Sequence, residues 1–168
     1  VEALTTNESS FFRDGKPFEH LRTLLPRLAA ARTPGQAIRI WSAACSSGQE
    51  AYSIAMIAAE LGVALGGRQV DILGTDLSRE MLDRARDGIF TQFEVQRGLP
   101  VQMLVKHFQQ DGTRWRIGPA LRAMVRWQVF NLLDDPRGLV RLGGGCCRNV
   151  LIYFDAPTKT RVLAALAG

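Results

Sequence analysis

The sequence predicts an α/β fold on a partial parallel sheet, and three stretches predict it. Ile38, Ile40 and Trp41 read as a short strand. It turns through Ala43, Ala44, Cys45, Ser46, Ser47 and Gly48 into a helix opening at Gln49-Glu50. A second apolar run, VDILGTD over 70–76, follows that helix and ends in Asp76. A third strand, with Trp127, Val129 and Phe130, runs into Asn131-Leu132-Leu133-Asp134-Asp135. Strands joined by a helix are parallel neighbours with a right-handed crossover.

The chain of 168 residues is one domain-sized unit, and 46% apolar residues suit a globular core. No apolar run approaches the ~20 residues of a membrane span, and VEALTTNESS does not look like a signal peptide. The cysteines are Cys45, Cys146 and Cys147, with no C-x-x-C spacing. Adjacent cysteines do not readily bridge each other, so the expected setting is reducing and cytoplasmic, without disulfides or a metal site. The net charge is +5. Arg97, Lys106, Arg114, Arg116, Arg122 and Arg126, opposed by Asp111 alone between 97 and 126, carry the whole excess. That basic patch suggests an acidic partner, with a solvated charged face as the plainer alternative. Neither nucleic acid nor membrane insertion is expected.

Taken in order, TTNESSFFRD over 5–14 is polar around Phe11-Phe12, which must be buried, and Arg13 follows directly. A helix starts near Pro17, an early-turn residue. Phe18, Leu21, Leu24, Leu25 and Leu28 keep the helical period, and Pro26 predicts a kink or early stop near Leu25. Thr33-Pro34-Gly35 breaks before the first core strand. The helix from Glu50 places Ile54, Ile57, Ala58 and Leu61 on one face and stops at Gly62. Leu65-Gly66-Gly67-Arg68 loops to the second strand. Ser78 is the expected N-cap of the next helix, which has Met81, Leu82 and Ala85 and ends at Asp87-Gly88.

Residues 89–126 break the alternation. A mixed apolar stretch leads to QQDGTRWRIG, where Asp111-Gly112 makes a hairpin turn. WRIG and MVRWQV look like short strands, giving an inserted helix plus small antiparallel sheet. A fourth core strand is expected after the third, yet Gly143, Gly144 and Gly145 stand there and are poor strand formers. Asp155 caps a last helix with Pro157 in its first turn and Val162, Leu163 and Leu166 facing inward. The expected organisation is an opening motif and linker helix over 1–33, then a partial catalytic-type domain over 34–168 with 89–126 inserted.

Strand, small-residue turn, helix, strand and acid together make a nucleotide-type cofactor site at the carboxyl ends of parallel strands. Small residues let a ligand approach the backbone, and Asp76 can hold a ribose by its hydroxyls. One glycine is not G-x-G-x-x-G, so a pyrophosphate lacks its usual seat. Glu50 at a helix N-terminus repels phosphate and suits a cation or a ribose. The residues therefore tilt toward S-adenosylmethionine, which has no phosphate and carries a sulfonium. The plainer reading is that Glu50 complements the helix dipole and Asp76 caps the next helix. A nicotinamide-dependent oxidoreductase is disfavoured by the single-glycine turn.

TTNESSFFRD, SAACSSGQEAYSIAM, GTDLSREMLDRAR, Asn131-Leu132 and CRNVLIYFD occur in an order and spacing that resembles the CheR-type chemotaxis protein-glutamate O-methyltransferases. The resemblance covers nearly the whole chain. It implies a Rossmann-like S-adenosylmethionine-dependent methyltransferase fold with a small β-subdomain insert, preceded by a small helical domain. It implies methyl transfer to glutamate side chains of chemoreceptor cytoplasmic domains, leaving S-adenosylhomocysteine. Carried over by motif, Asn7, Ser9 and Arg13 lie over the cofactor, and Glu50 and Asp76 contact it from the first two strand ends. Asn131 and Leu132 approach its adenine side, and Arg148 and Asn149 come from the fourth strand end. Arg13 and Tyr153 are the candidates beside the reacting carboxylate. The insert resembles one by which some members grip a receptor tail. No general base is required, in keeping with no His or Cys in the candidate site; His20 and His107 read as structural or surface residues.

Three features depart from that family. The preceding helical domain is almost wholly absent, the strands after the Val162 helix are missing, and RLGGGCC stands where an apolar strand belongs. These predict an open fourth-strand edge, self-association and weak activity. A cofactor-binding sensing or scaffold module of the same family is the alternative.

Overall fold

A computed structural model describes residues 9–134, apart from 14, 32, 34 and 132, and the backbone of 149–152. A four-stranded parallel sheet is its frame. The strands are β1 (Ile38–Ala43), β2 (Val70–Asp76), β6 (Val125–Val129) and β7 (Asn149–Ile152), in the order β6-β2-β1-β7. β1 lies inside, and β6 and β7 flank the other two among the described residues. The three expected core strands are in place, and β1 and β2 pair from Ile38↔Val70 to Ala43↔Thr75. This arrangement, with helices between parallel strands, is a Rossmann-like fold. Among the described residues no helix is long and apolar enough to cross a membrane.

Helix α1 (Lys16–Ala30) starts with Pro17 in its first turn, as expected. It does not stop at Leu25 but runs on through Pro26. Leu21, Leu25 and Ala29 recur every four residues and are buried, so packing of that stripe outweighs the one helical hydrogen bond that proline removes. The carbonyl left without it belongs to Arg22, an exposed residue that water can serve. Helix α2 (Gln49–Leu61) is buried on every side from Ala51 to Ala58, not on one face only. It is packed between α1, β2 and the last helix of the insert, which explains the difference. It stops at Gly62 as expected, although a short 3-10 turn, Gly62–Leu65, precedes the loop to β2. Helix α3 (Arg79–Asp87) is capped by Ser78, whose hydroxyl accepts from the Met81 N–H at 3.3 Å, and ends at Gly88 with φ 67°.

The insert contains β3 (Ile89–Thr91), α4 (Gln92–Gln96), α5 (Val101–His107), β4 (Phe108–Asp111), β5 (Arg114–Ile117) and α6 (Pro119–Arg122). Its sheet is antiparallel in the order β3-β5-β4, with the expected hairpin at Gly112. MVRWQV is not part of that small sheet: Val125–Val129 pairs in parallel with β2 and is the third core strand itself. The insert shares one continuous core with the rest of the chain. Phe11 is fully buried there, edge-on to Phe90 at 5.0 Å and to Phe108 at 5.7 Å. A Cβ on Gly98 would run into the Phe11 carbonyl, so the opening motif and the insert touch backbone to backbone. The Gly143–Gly145 run and the expected last helix lie outside the described residues.

Candidate functional site

The turn from β1 into α2 is tight in a way that small residues alone do not announce. Ala44 and Ser46 hold φ of 54° and 53°, and Gly48 holds 97°. Non-glycine residues adopt such φ values only under local constraint, and such strain gathers at functional sites. The constraints are visible. The Cys45 N–H donates to the Thr75 carbonyl at 2.9 Å, which ties the turn to β2. The Ser46 N–H donates to Asp76 Oδ2 at 2.8 Å, and the Ser78 N–H to Asp76 Oδ1 at 2.9 Å. Asp76 is therefore a clamp between two strand-end turns. It does not cap α3, because Ser78 does. Among the described residues each of its oxygens keeps a further lone-pair direction, which a hydroxyl can use.

Glycine at 48 is required by space as well as by φ. An added Cβ would come within 2.9 Å of the Ala85 Cβ and 3.0 Å of the Trp127 ring. Gly74 is the partner of Trp127 in the register, and a Cβ there would meet the same indole at 2.6 Å. Trp127 is thus the floor beneath the turn.

Glu50 lies in the first turn of α2 and accepts from the Ser42 hydroxyl at 2.9 Å. Burial pushes its carboxyl up to about 8, and the Ser42 hydrogen bond and the Arg13 charge counteract only part of that. Arg13 of the opening motif therefore acts on Glu50 across the fold. A carboxyl held in this way favours a cationic ligand, which restores the charge that burial suppresses. Cys45 sits in the same turn, contrary to a site without cysteine. Burial pushes its thiol up, and the Asp76 and Glu50 charges add to that. It stays a thiol and offers no nucleophile. Ser46 Oγ is buried without a partner among the described residues.

The other expected site residues are placed as follows. Ser9 is half-buried ahead of Phe11. Asn131 follows Phe130, whose N–H donates to the Asp76 carbonyl at 3.0 Å, so it leaves β6 beside Asp76. Its Oδ1 accepts from the Leu133 N–H at 2.9 Å. Asn149 opens β7 opposite Arg39. That puts it at the amino end of the strand. The strand pairs with β1 from Asn149↔Arg39 to Ile152↔Ser42. Asn7, Leu132, Arg148 and Tyr153 lie outside the described residues.

Missed by sequence reasoning was the link from this turn to the insert. Ser47 Oγ donates to Gln49 Oε1 at 2.7 Å, and Gln49 Nε2 donates to Glu94 Oε2 at 3.2 Å. No periodicity connects residues 49 and 94. A cavity of about 320 Å³, lined by Arg84, Asp87, Ile89, Thr91, Glu94 and Arg114, opens on that side of the molecule. It includes neither Glu50 nor Asp76. The basic patch is partly spoken for. Lys106 and His107 both reach Glu60 at 2.9 Å, and Arg116 lies 3.6 Å from Asp111. Arg122 is half-buried against Gly88.

The family description "CheR methyltransferase, SAM binding domain" matches residues 7–168. The chain belongs to the CheR methyltransferase family. It is similar to "Chemotaxis protein methyltransferase 1" of Pseudomonas aeruginosa, 44% identical across all of this chain and 63% of that protein. It is also similar to "Chemotaxis protein methyltransferase Cher2" of Pseudomonas putida, 43% identical over 97% of this chain and 61% of that protein. "Chemotaxis protein methyltransferase 1" of Vibrio cholerae is 40% identical over all of this chain and 62% of that protein. The chain thus spans about three fifths of the length of these curated relatives. The cofactor of this CheR domain is S-adenosylmethionine. Among the described residues, two carboxylates and a buried hydroxyl without a partner at the turn suit a phosphate-free, cationic ligand.

Proposed function

We propose that the chain is the catalytic domain of a cytoplasmic methyltransferase that transfers the methyl group of S-adenosylmethionine to glutamate side chains of chemoreceptor cytoplasmic domains. The observation that carries this is the Asp76 clamp beside Glu50 at the ends of adjacent parallel strands, in a chain of the CheR family. Asp76 accepts from ribose hydroxyls, and Glu50 faces the cationic end of the cofactor. Ser9, Arg13 and Asn131 close around it, joined by Asn7, Leu132 and Arg148. Asn149 joins them from the fourth strand.

The cofactor supplies an electrophilic methyl group. The attacking glutamate is ionised at neutral pH, its ordinary pKa being about 4.3, so the chain has no proton to remove. Its work is positioning. Arg13, already close enough to act on Glu50, orients the incoming carboxylate, and Tyr153 donates a hydrogen bond to it. Too tight an ion pair with Arg13 would dull the nucleophile. The remaining positive charge of the insert receives an acidic receptor-tail peptide.

The test is transfer of labelled methyl from S-adenosylmethionine to receptor cytoplasmic fragments, next to calorimetry with S-adenosylhomocysteine. Base-labile label on receptor glutamates is the expected result. Binding without transfer would instead mark a sensing or scaffold module.

A further inference from the structure

We infer that Gln49 and Glu94 are positioning residues that tie the geometry of the cofactor turn to the insert, so that cofactor affinity depends on how the insert is seated. This rests on reading the β1–α2 turn as the cofactor site.

Ser47 and Gln49 are 6% and 2% exposed. Buried polar groups need partners, and the chain of partners is directional here. Ser47 Oγ donates to Gln49 Oε1 at 2.7 Å, and Gln49 Nε2 donates to Glu94 Oε2 at 3.2 Å. Glu94 is held from the insert side. Its Oε1 accepts from the Thr91 N–H at 2.9 Å, while its own N–H donates to Thr91 Oγ at 3.2 Å, closing a capping box at the start of α4. The Arg84 guanidinium of α3 lies 3.7 Å from Glu94 Oε2.

The turn needs such a hold. Ser47 stands between Ser46 and Gly48, both at positive φ. Asp76 fixes the turn through Ser46 from the sheet side; Glu94 fixes it through Gln49 and Ser47 from the insert side. The opening motif meets the same helix turn. The Phe12 N–H donates to Ser53 Oγ at 3.0 Å, and Ser53 Oγ donates to the Gln49 carbonyl at 2.6 Å. Gln49 therefore joins the turn, the insert and the segment carrying Arg13. Movement of β3 and α4 against α3 must displace Glu94, and with it Ser47. By reciprocity, cofactor binding changes affinity for whatever occupies the insert by the same factor.

The experiment is calorimetry with S-adenosylhomocysteine on the full chain carrying Gln49→Met, Glu94→Gln, both together, or Asp76→Ala. Hydrogen exchange is followed at residues 44–48. Each of the first two changes should weaken binding about two- to ten-fold, the range of one typical net hydrogen bond. The double variant should lose no more than the worse single one, because both cut the same link. Exchange at 44–48 should speed up in Glu94→Gln without a lower global melting temperature. If Gln49→Met does not fold, Glu94→Gln and its exchange pattern decide. Wild-type affinity in both single variants, or losses that add in the double one, overturns the inference while the cofactor site stands on Asp76→Ala. A wild-type chain that binds no S-adenosylhomocysteine overturns the site reading and this inference with it.

Discussion

Glu50 and Glu60 sit at opposite ends of α2 and live in opposite electrostatic worlds. Glu50 faces the strained turn, and burial raises its carboxyl to about 8. Glu60 faces solvent and the insert, where hydrogen bonds from Lys106 and His107 lower its pKa. At the turn, Glu50 is desolvated and accepts from the Ser42 hydroxyl, and Asp76 is gripped by two backbone N–H groups. On the insert charges are many and mostly exposed, and Lys106, His107 and Arg116 are paired. Exposed pairs each contribute little to stability, and their effect on association fades with salt. On the proposed reading the turn receives the small cofactor and the insert a charged surface partner.

The sharpest break of that contrast is Asp76→Ala. It removes the acceptor of two backbone N–H groups as well as the proposed ribose contact. A charge-assisted hydrogen bond is worth about 1.5–3 kcal/mol, so affinity for S-adenosylhomocysteine should fall about ten- to a hundred-fold or more in calorimetry. The fold should persist by circular dichroism.

A pair of glycine substitutions compares the regions directly. Gly48→Ala meets both a positive φ of 97° and contacts at 2.9 and 3.0 Å, whereas Gly112→Ala meets a positive φ of 62° with open space around it. Denaturant unfolding should show a loss of about 2–4 kcal/mol for the first and about 1 kcal/mol for the second. Equal losses would mean that the turn is no more tightly packed than the hairpin.

The pH dependence sharpens the comparison further. Glu50 has a folded-state pKa above its unfolded one, so the folded chain holds a proton that the unfolded chain gives up. Stability should therefore fall as pH rises from about 4.5 to about 8 and level off above that. Glu50→Gln should flatten this slope in melts across the window. Glu60 carries the opposite sign: its contribution is present above its unfolded value and fades as pH falls through the lowered one. Because Glu60 is exposed, Glu60→Gln should change the acid limb only slightly.

Smallest is the expected effect of the insert's surface charge. Arg114→Ala with Arg116→Ala should leave S-adenosylhomocysteine affinity within about two-fold. Binding of an acidic receptor-tail peptide should weaken, more at low salt than at high. Arg122 is a poor member of that set, because its side chain packs beneath Gly88.

Much of the parallel sheet was legible because its strands are short apolar runs ended by turn formers, and VDILGTD coincides with β2 to the residue. Pro26 misled because local chemistry does not report the buried stripe that carries α1 through it. MVRWQV misled because a five-residue strand looks alike in a small antiparallel sheet and at the side of a parallel one. Within the candidate site, the places of Glu50 in the first turn of α2 and Asp76 at the end of β2 were visible by position after strands. The positive φ of Ala44 and Ser46 was not, since neither residue type advertises it. Nor was the bond from Gln49 to Glu94, which depends on how the insert folds back on α2.

Hydrogen exchange of the full chain with and without S-adenosylhomocysteine is the most direct test that the β1–α2 turn, clamped by Asp76 and faced by Glu50, is the cofactor site. Slowed exchange concentrated at residues 43–50 and 75–78, with 108–117 unchanged, is the predicted result. Protection confined to the insert, or ligand binding that leaves the turn amides as they were, would contradict it.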